Sequence, residues 1–390
     1  MVSRSQNLIV MKEFTQQSIG IDISKETFSA CVCQRNLSND DVLSQVREFK
    51  NGKTGFNQLV KWTRKLTQSG TPVVFVMEAT GNYYENLAYH LYAIKLQVCV
   101  LLPNKVTHFA KSLNIKTKTD AIDAQVIARL GVERKLRFWQ PPPPIFKCLK
   151  ELTRQHSELV REKTAFSNRL HSVKSGYEPQ PFIIKSNKSM IKALAKQIEN
   201  CEGEIEKLIQ SEVWLWHKVK NVMTIKGVGF MTVAIILAET QGFEHVQNIR
   251  QLTSFAGLDV IRRESGTTVM GKTRISKKGN TRIRAALYFP ALVAIQHNED
   301  LRNKYHRIKE GKPSKMVGVT ALQRRLLILI YTLWRKNEVY IDDYEQNLVT
   351  KKQNQVNDKT NPIKSKAGRG LTNLPAQDDL QPKRLEISLV

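Results

Sequence analysis

The stretch TPVVFVMEA, residues 71–79, constrains the fold of this chain more than any other. From Val73 to Met77 its apolar residues run unbroken. A strand of that kind buries both faces, as in the parallel sheets of α/β proteins, whose two sides are covered by helices. The neighbouring sequence supplies such helices. Before it, TGFNQLVKWTRKLTQ sets Phe56, Leu59, Val60, Thr63 and Leu66 on one face at helical spacing. After it, NYYENLAYHLYAIK reads as a helix, LQVCVLLP as a second buried strand and DAIDAQVIARLGVERK as a closing helix.

Upstream, SIGIDIS is an apolar strand and TFSACVCQ its hairpin partner after a short polar turn, with REFKN a shorter third strand. The order is a hairpin and a third strand, then alternating helices and strands. It fits a ribonuclease H-like layout over residues 18–138, whereas a doubly wound dinucleotide fold would begin βαβ.

The polyproline run WQPPPPIF, residues 139–146, is a stiff linker and ends this first domain. Beyond it Leu149, Leu152, His156, Leu159, Lys163, Phe166, Leu170 and Val173 recur at heptad spacing. The pattern resumes after GYEPQPF at Ile191, Leu194, Ile198, Cys201, Ile205 and Leu208. His156 and Lys163 at seam positions disfavour a long two-stranded coil. Residues 146–215 are therefore expected to form a helical hairpin that also contributes to dimerisation. Residues 218–342 read as a third, mostly helical unit. Within it VMTIKGVGFMTVAIILAET has the turn of a helix-hairpin-helix, where Gly227 and Gly229 let backbone N–H groups approach a phosphate. Residues 346–390 are polar and poor in aromatics, which predicts disorder.

Charge narrows the function. Lys and Arg number 61 against 35 Asp and Glu, a net charge of +26, which points to a polyanionic partner and salt-dependent binding. The five cysteines are scattered without a CxxC pair, so neither a zinc site nor a disulfide framework is indicated. The N-terminus lacks a signal peptide's apolar core, and no apolar run reaches the ~18 residues of a membrane span. A cytoplasmic, reducing setting is expected.

In this basic chain four acids stand out. Asp22 interrupts the apolar strand IGIDIS, and Glu78 closes VVFVME, at the strand end where sites of open α/β sheets collect. Asp120 and Asp123 lie one helical turn apart on the closing helix. Together they offer hard oxygen ligands for Mg²⁺ or Mn²⁺, the metals of phosphodiester chemistry. Singly, Asp120 also reads as a helix cap, Asp123 as a first-turn acid and Asp22 as a hairpin end. The second constellation is VIRRESGTTVMGKTRISKKGNTRIRAALY, in which Arg262, Arg263, Lys272, Arg274, Lys277, Lys278, Arg282 and Arg284 surround a single acid, Glu264. It reads as a phosphate-gripping loop leading into the helix NTRIRAALYFPALVAI. By spacing alone the pair Ser265–Gly266 is a turn.

These stretches, with LPNKVTHFAKSLNIKTKTDAIDAQVIARL and IKGVGFMTVAIILAE, together resemble the DEDD transposases of insertion sequences. That group includes the Piv/MooV inverting recombinases and the bridge-RNA-guided recombinases. The resemblance spans about residues 18–342, while 147–215 match in kind only. It implies a RuvC-like N-terminal domain, a coiled-coil segment and a C-terminal transposase domain with a serine nucleophile. By position the acidic tetrad falls on Asp22, Glu78, Asp120 and Asp123 and the nucleophile on Ser265, ahead of Thr267, Thr268 and Ser276. The expected chemistry is Mg²⁺-dependent DNA strand cleavage and exchange through a 5′-phosphoserine link. Expected partners are DNA, a structured guide RNA and further copies of the chain, as dimer or tetramer, with no membrane. Lys116 and Lys118 read as phosphate contacts beside the metal. The alternatives are a RuvC-like, structure-specific nuclease that uses water, and a non-catalytic nucleic-acid-binding protein.

Overall fold

A computed structural model describes residues 14–341 except 80, 245, 262, 263, 266–268, 272 and 313, so the expectation for 346–390 lies outside the described residues. The chain divides into two compact units, Met1–Lys147 and Cys148–Val390.

In the first unit, β1 (Phe14–Ile23) and β2 (Thr27–Asn36) form an antiparallel hairpin. Ser24 closes its turn by donating from both N–H and Oγ to the Thr27 carbonyl, at 2.9 and 2.8 Å. Two short strands, β3 (Asp41–Leu43) and β4 (Arg47–Lys50), pair with the far edge of β2. Helix α1 (Lys53–Leu66) then leads to β5 (Val73–Glu78), α2 (Glu85–Ala93), β6 (Gln97–Leu101), α3 (Pro103–Ser112) and α4 (Asp120–Glu133). The sheet order is β3-β2-β1-β5-β6, with β5 parallel to both β1 and β6.

The unbroken run of β5 is buried on both sides, as expected. Phe75 and Met77 join Ile19, Ile21 and Phe28 in a core completed by Phe56 and Leu59 of α1 and Leu87 and Leu91 of α2. Val76 points the other way, into a cluster with Cys99, Phe109, Val126 and Ile127. Each such fully buried side chain stabilises the fold by roughly 1.5–3 kcal/mol. Cys31, Cys33 and Cys99 are free and buried, and burial pushes the Cys33 thiol up to about 12.

The structure adds to the expected elements at three points. β1 begins at Phe14, before the expected start. β3 was not anticipated, and neither was α3. The apolar side of α3 consists of Val106 and Phe109 alone, too little to register as a helical period. Leu66, expected on the buried face of α1, ends that helix 40% exposed.

The second unit opens with most of α5 (Pro144–Lys174), followed by α6 (Pro181–Gln210). They meet where Cys201 Sγ lies 3.4 Å from the Leu152 carbonyl and His156 Nε2 lies 2.9 Å from Glu202 Oε1. His156 thus sits buried at its seam position with a carboxylate for company. Between the helices' far ends the apolar side chains are less covered, and Tyr177 and Phe182 are largely exposed.

Helices α7 (Val213–Met223), α8 (Phe230–Thr240) and α9 (Ile249–Phe255) follow. Two small antiparallel ladders come next: β7 (Val260–Ile261) with β10 (Arg274–Ile275), and between them β8 (Glu264–Ser265) with β9 (Val269–Met270). The unit ends with α10 (Thr281–Ala286), α11 (Tyr288–His297), α12 (Glu299–Lys309) and α13 (Lys315–Lys336).

The single helix expected over NTRIRAALYFPALVAI is in fact α10 and α11, broken at Leu287. Pro290 explains the break: it has no N–H for the Ala286 carbonyl and its ring crowds that turn. Helix α13 is the central helix of this unit and buries Leu322, Leu326, Leu327 and Ile330. By length and composition it would also pass for a membrane span, contrary to the expectation that no run would. Half of its most apolar window is packed inside the protein.

Candidate functional site

The first centre is set by how closely α4 lies on the sheet. Ser18, Gly20 and Asp22 alternate onto one face of β1. Ser18 Oγ donates to the Ala128 carbonyl of α4. A Cβ on Gly20 would come within 2.1 Å of Ala128 N and 2.2 Å of the Ala124 carbonyl oxygen, so only glycine fits there. One on Gly131 would lie 2.6 Å from Ser18 Cβ. Along β1 from Ser18 to Gly20 the contacts run backwards along α4, from residues 131 and 128 to 124. The next inward residue, Asp22, is therefore carried towards Asp120 and Asp123 at the start of the helix. Parallel pairing sets Ile21 beside Met77, which brings Glu78 to the neighbouring strand end.

The electrostatics agree with this placement. The Asp22 carboxyl is raised to about 6, by burial first and then by the charges of Asp123, Asp120 and Glu78, against the pull of Lys118. Asp123 is also raised, by burial and then by Asp120, against the pull of Lys118. The four acids and Lys118 thus share one electrostatic neighbourhood; Lys116 is exposed nearby in sequence. Among the described residues no three His, Cys, Asp or Glu side chains stand close enough to hold a metal ion. The expected cage is a set of interacting carboxylates, not a closed coordination shell. The cap expected of Asp120 belongs to Thr119, whose hydroxyl accepts from the Ile122 N–H at 3.3 Å, and Asp120 is the first helical residue. Asn51 braces the same end of the sheet, donating to the carbonyls of Ser24 at 2.9 Å and Tyr83 at 3.3 Å.

The second centre is the β7–β10 hairpin. Ser265 pairs with Val269 near its tip, and Arg274 pairs with Ile261 at its root. Arg262, Arg263, Lys272, Thr267 and Thr268 lie outside the described residues. Arg274, Lys277 and Lys278 are exposed. The Ser276 hydroxyl is engaged with Asp259 Oδ1, and its N–H donates to the Asp259 carbonyl at 2.9 Å.

What roots this hairpin was not apparent in the sequence. Glu239 of α8, with 3% of its side chain exposed, accepts from Arg154 Nε and Nη2 at 2.9 and 3.1 Å and from Asn280 Nδ2 at 2.7 Å. Burial alone would raise the Glu239 carboxyl; the hydrogen bonds from Arg154 and Asn280, with the charges of Arg154 and Lys150, outweigh it and hold it below the usual range. Asn280 Oδ1 in turn caps α10, accepting from Arg282 and Ile283 N–H. Gly257, at φ +67°, and Gly279 pack backbone to backbone, where a Cβ on Gly279 would lie 2.4 Å from Gly257 N. Arg282, expected to face nucleic acid, lies 3.6 Å from Glu158 and 4.0 Å from Glu239.

The turn between α7 and α8 contains Gly227 at φ +93°, with its α-carbon against Pro290 and Ala294 of α11. Gly229 caps α8 and faces open space, so of the two it leaves its backbone more approachable.

A family profile described as a transposase of the DEDD, IS110 type matches residues 19–179, and one described as the transposase IS116/IS110/IS902 family matches residues 219–306. The pilin gene-inverting protein of Moraxella bovis is 28% identical over 329 residues, covering 83% of this chain and 97% of that protein. The transposase for insertion sequence element IS1111A of Coxiella burnetii is 24% identical over 356 residues, covering 83% and 90% respectively.

Proposed function

Given that the chain belongs to the DEDD transposase family of insertion sequences, we propose that it cuts and rejoins DNA strands with Ser265 as nucleophile. The Ser265 hydroxyl attacks a DNA phosphodiester and gives up its proton. The P–O3′ bond breaks, leaving a 5′-phosphoserine link and a free 3′-OH. Asp22, Glu78, Asp120 and Asp123 would hold divalent metal, Mg²⁺ or Mn²⁺, which when bound supplies charge stabilisation at the phosphoryl group and leaving oxygen. The donor chemistry fits, since all four groups are hard carboxylate oxygens whose mutual repulsion a cation relieves.

The observation that carries this reading is Asp22, half-buried and raised to about 6 among three further acids. A chain with a net charge of +26 gathers carboxylates in this way for a cation. The sheet order β3-β2-β1-β5-β6 supports a RuvC-like, ribonuclease H-type first domain. Exposed Arg274, Lys277 and Lys278 neutralise phosphate near the hairpin, and the open backbone at Gly229 is a further phosphate contact. A structured RNA from the same element selects the target, and strand exchange takes place in a dimer or tetramer to which the α5–α6 hairpin contributes. As in the gene-inverting relatives, inversion is one possible outcome besides insertion and excision.

The test is to incubate the protein with Mg²⁺, element-end DNA and candidate guide RNA and to look for an SDS-stable protein–DNA adduct. Ser265→Ala and Asp120→Ala should both abolish it. If Ser265→Ala retains the adduct, another residue is the nucleophile. Cleavage without any adduct would favour water, as in a junction-resolving nuclease.

A further inference from the structure

Pairing between β1 and β5 ends at Ile21 and Met77, one residue short of the acid on each strand. Past that point Asp22 is carried by the hairpin, where it pairs with Ser29 of β2. Glu78 is carried from the other side, where it pairs with Leu101 of β6. The next N–H, that of Ala79, donates to the Leu101 carbonyl at 2.8 Å. The ladder joining the two strands thus gives out where they carry like charges, which repel. A side chain spans the gap. Asn51 Nδ2 donates to the Ser24 carbonyl, just after Asp22, at 2.9 Å, and to the Tyr83 carbonyl, on the loop after Glu78, at 3.3 Å.

Asn51 is itself held firmly. Its N–H donates to the Glu26 carbonyl at 2.8 Å. The residue before it, Lys50, pairs with Thr27 of β2. The residue after it, Gly52, caps α1, and a Cβ on Gly55 of that helix would lie 2.0 Å from the Lys50 carbonyl oxygen. The chemistry calls for an amide. Two carbonyls need two donors: an asparagine Nδ2 supplies both, a serine hydroxyl one and a carboxylate none. Asn51 Oδ1 is buried without a hydrogen-bond partner among the described residues. An acceptor left so is a cost that packing alone gives no reason to bear.

We propose that Asn51 is a positioning residue of the acid centre. Its amide clamps the chain beyond Asp22 to the chain beyond Glu78, and so fixes the spacing at which these two carboxylates meet a divalent cation. The proposal rests on the metal reading given above and adds the group that sets the geometry of two of the proposed ligands. Asn51 acts through the strand ends and is not itself a ligand. Orienting partners of this kind govern how tightly a metal site binds.

The test titrates Mn²⁺ by calorimetry into the full chain, metal-free, as wild type, Asp22→Asn, Asn51→Ala and Asn51→Asp. Hydrogen exchange and chemical denaturation are followed on the same proteins. Asn51→Ala should weaken Mn²⁺ binding about tenfold, the lower end of what losing an orienting partner costs. Exchange should quicken around Ser24 and Tyr83 but not in the middle of β2, and the denaturation midpoint should change little. Asn51→Asp keeps the shape, removes both donors and adds a negative charge. It should bind Mn²⁺ as weakly as Asn51→Ala. Binding tighter than wild type would make position 51 a ligand or an electrostatic aid, and would overturn the proposal. Wild-type affinity in Asn51→Ala would also overturn it, as would a loss that merely follows a fall in the denaturation midpoint. If wild type and Asp22→Asn bind Mn²⁺ alike, the metal reading fails, and exchange still decides the clamp. Unchanged exchange around Ser24 and Tyr83 overturns the clamp, and quickened exchange upholds it.

Discussion

The two centres of this molecule are built in opposite ways. The acids stand on regular elements: two adjacent parallel strand ends and the first turn of a helix pressed so closely on the sheet that Gly20 tolerates no side chain. Ser265 stands near the tip of a hairpin whose ladders are two residues long. Its order is supplied from below, where Glu239, Asn280 and the Gly257–Gly279 contact lock the ends of the loop. On the function proposed above, carboxylates that are to hold a cation need geometry set in advance, and packing supplies it. On the same proposal, a residue that is to reach a phosphate and follow it through strand exchange is better carried on a lever with a firm root.

The contrast can be broken, starting where the largest effect is expected. Gly20→Ala should destabilise the first unit by about 3 kcal/mol, because its Cβ meets α4 backbone that cannot move without dragging the helix off the sheet. Chemical denaturation followed at the Trp62 and Trp139 fluorescence of that unit would show it. A loss under 1 kcal/mol would mean that α4 is not seated as described.

Next is the root of the hairpin. Glu239→Ala leaves Arg154 and Asn280 without their shared acceptor and should cost about 2 kcal/mol, discounted for the partial exposure of Arg154. More telling, it should speed proteolysis within 260–275 while first-unit cleavage stays unchanged. Glu239→Gln, which keeps an acceptor for Asn280, should fall between.

A third, smaller effect concerns pH. Asp22 has a folded pKa of about 6, above its ordinary 3.8. The native state therefore binds the extra proton between these values, and this stabilising share is present in full below about 3.8 and lost as pH rises through 6. In metal-free protein Asp22→Asn should raise the first unit's melting temperature at pH 8, with the gain vanishing near pH 4. Mg²⁺ at pH 8 should stabilise the wild type and not the variant. The smallest effect is expected at Gly229→Ala, within about 0.5 kcal/mol, since nothing lies near its α-carbon. Its binding of DNA should change more than its stability.

The difference between the centres also decides what could be read from the chain. Asp22 and Glu78 were legible because one interrupts and the other closes an apolar strand, where a charge needs a reason. Asp120 and Asp123 were legible as a pair one turn apart, although the cap beside them proved to be Thr119. Glu239 was not, because its partner Arg154 is 85 residues away and an acid near a helix end is unremarked in sequence. The break before α11 could have been seen at Pro290, but the apolar run around it masked the stop. Helix α3 escaped for want of a second turn of apolar residues.

The register of β1 with β5 carries one more consequence. Between Asp22 and Glu78 the chain makes a closed excursion through β2, β3, β4 and α1 and returns to the same end of the sheet, on the neighbouring strand. Residues added in that excursion's turns, such as the polar link 37–40, would leave both acids in place. A single residue inserted within β1 before Asp22 would instead turn that acid to the α1 side of the sheet, away from α4. Length is therefore free to drift almost everywhere between these two acids, and phase is not.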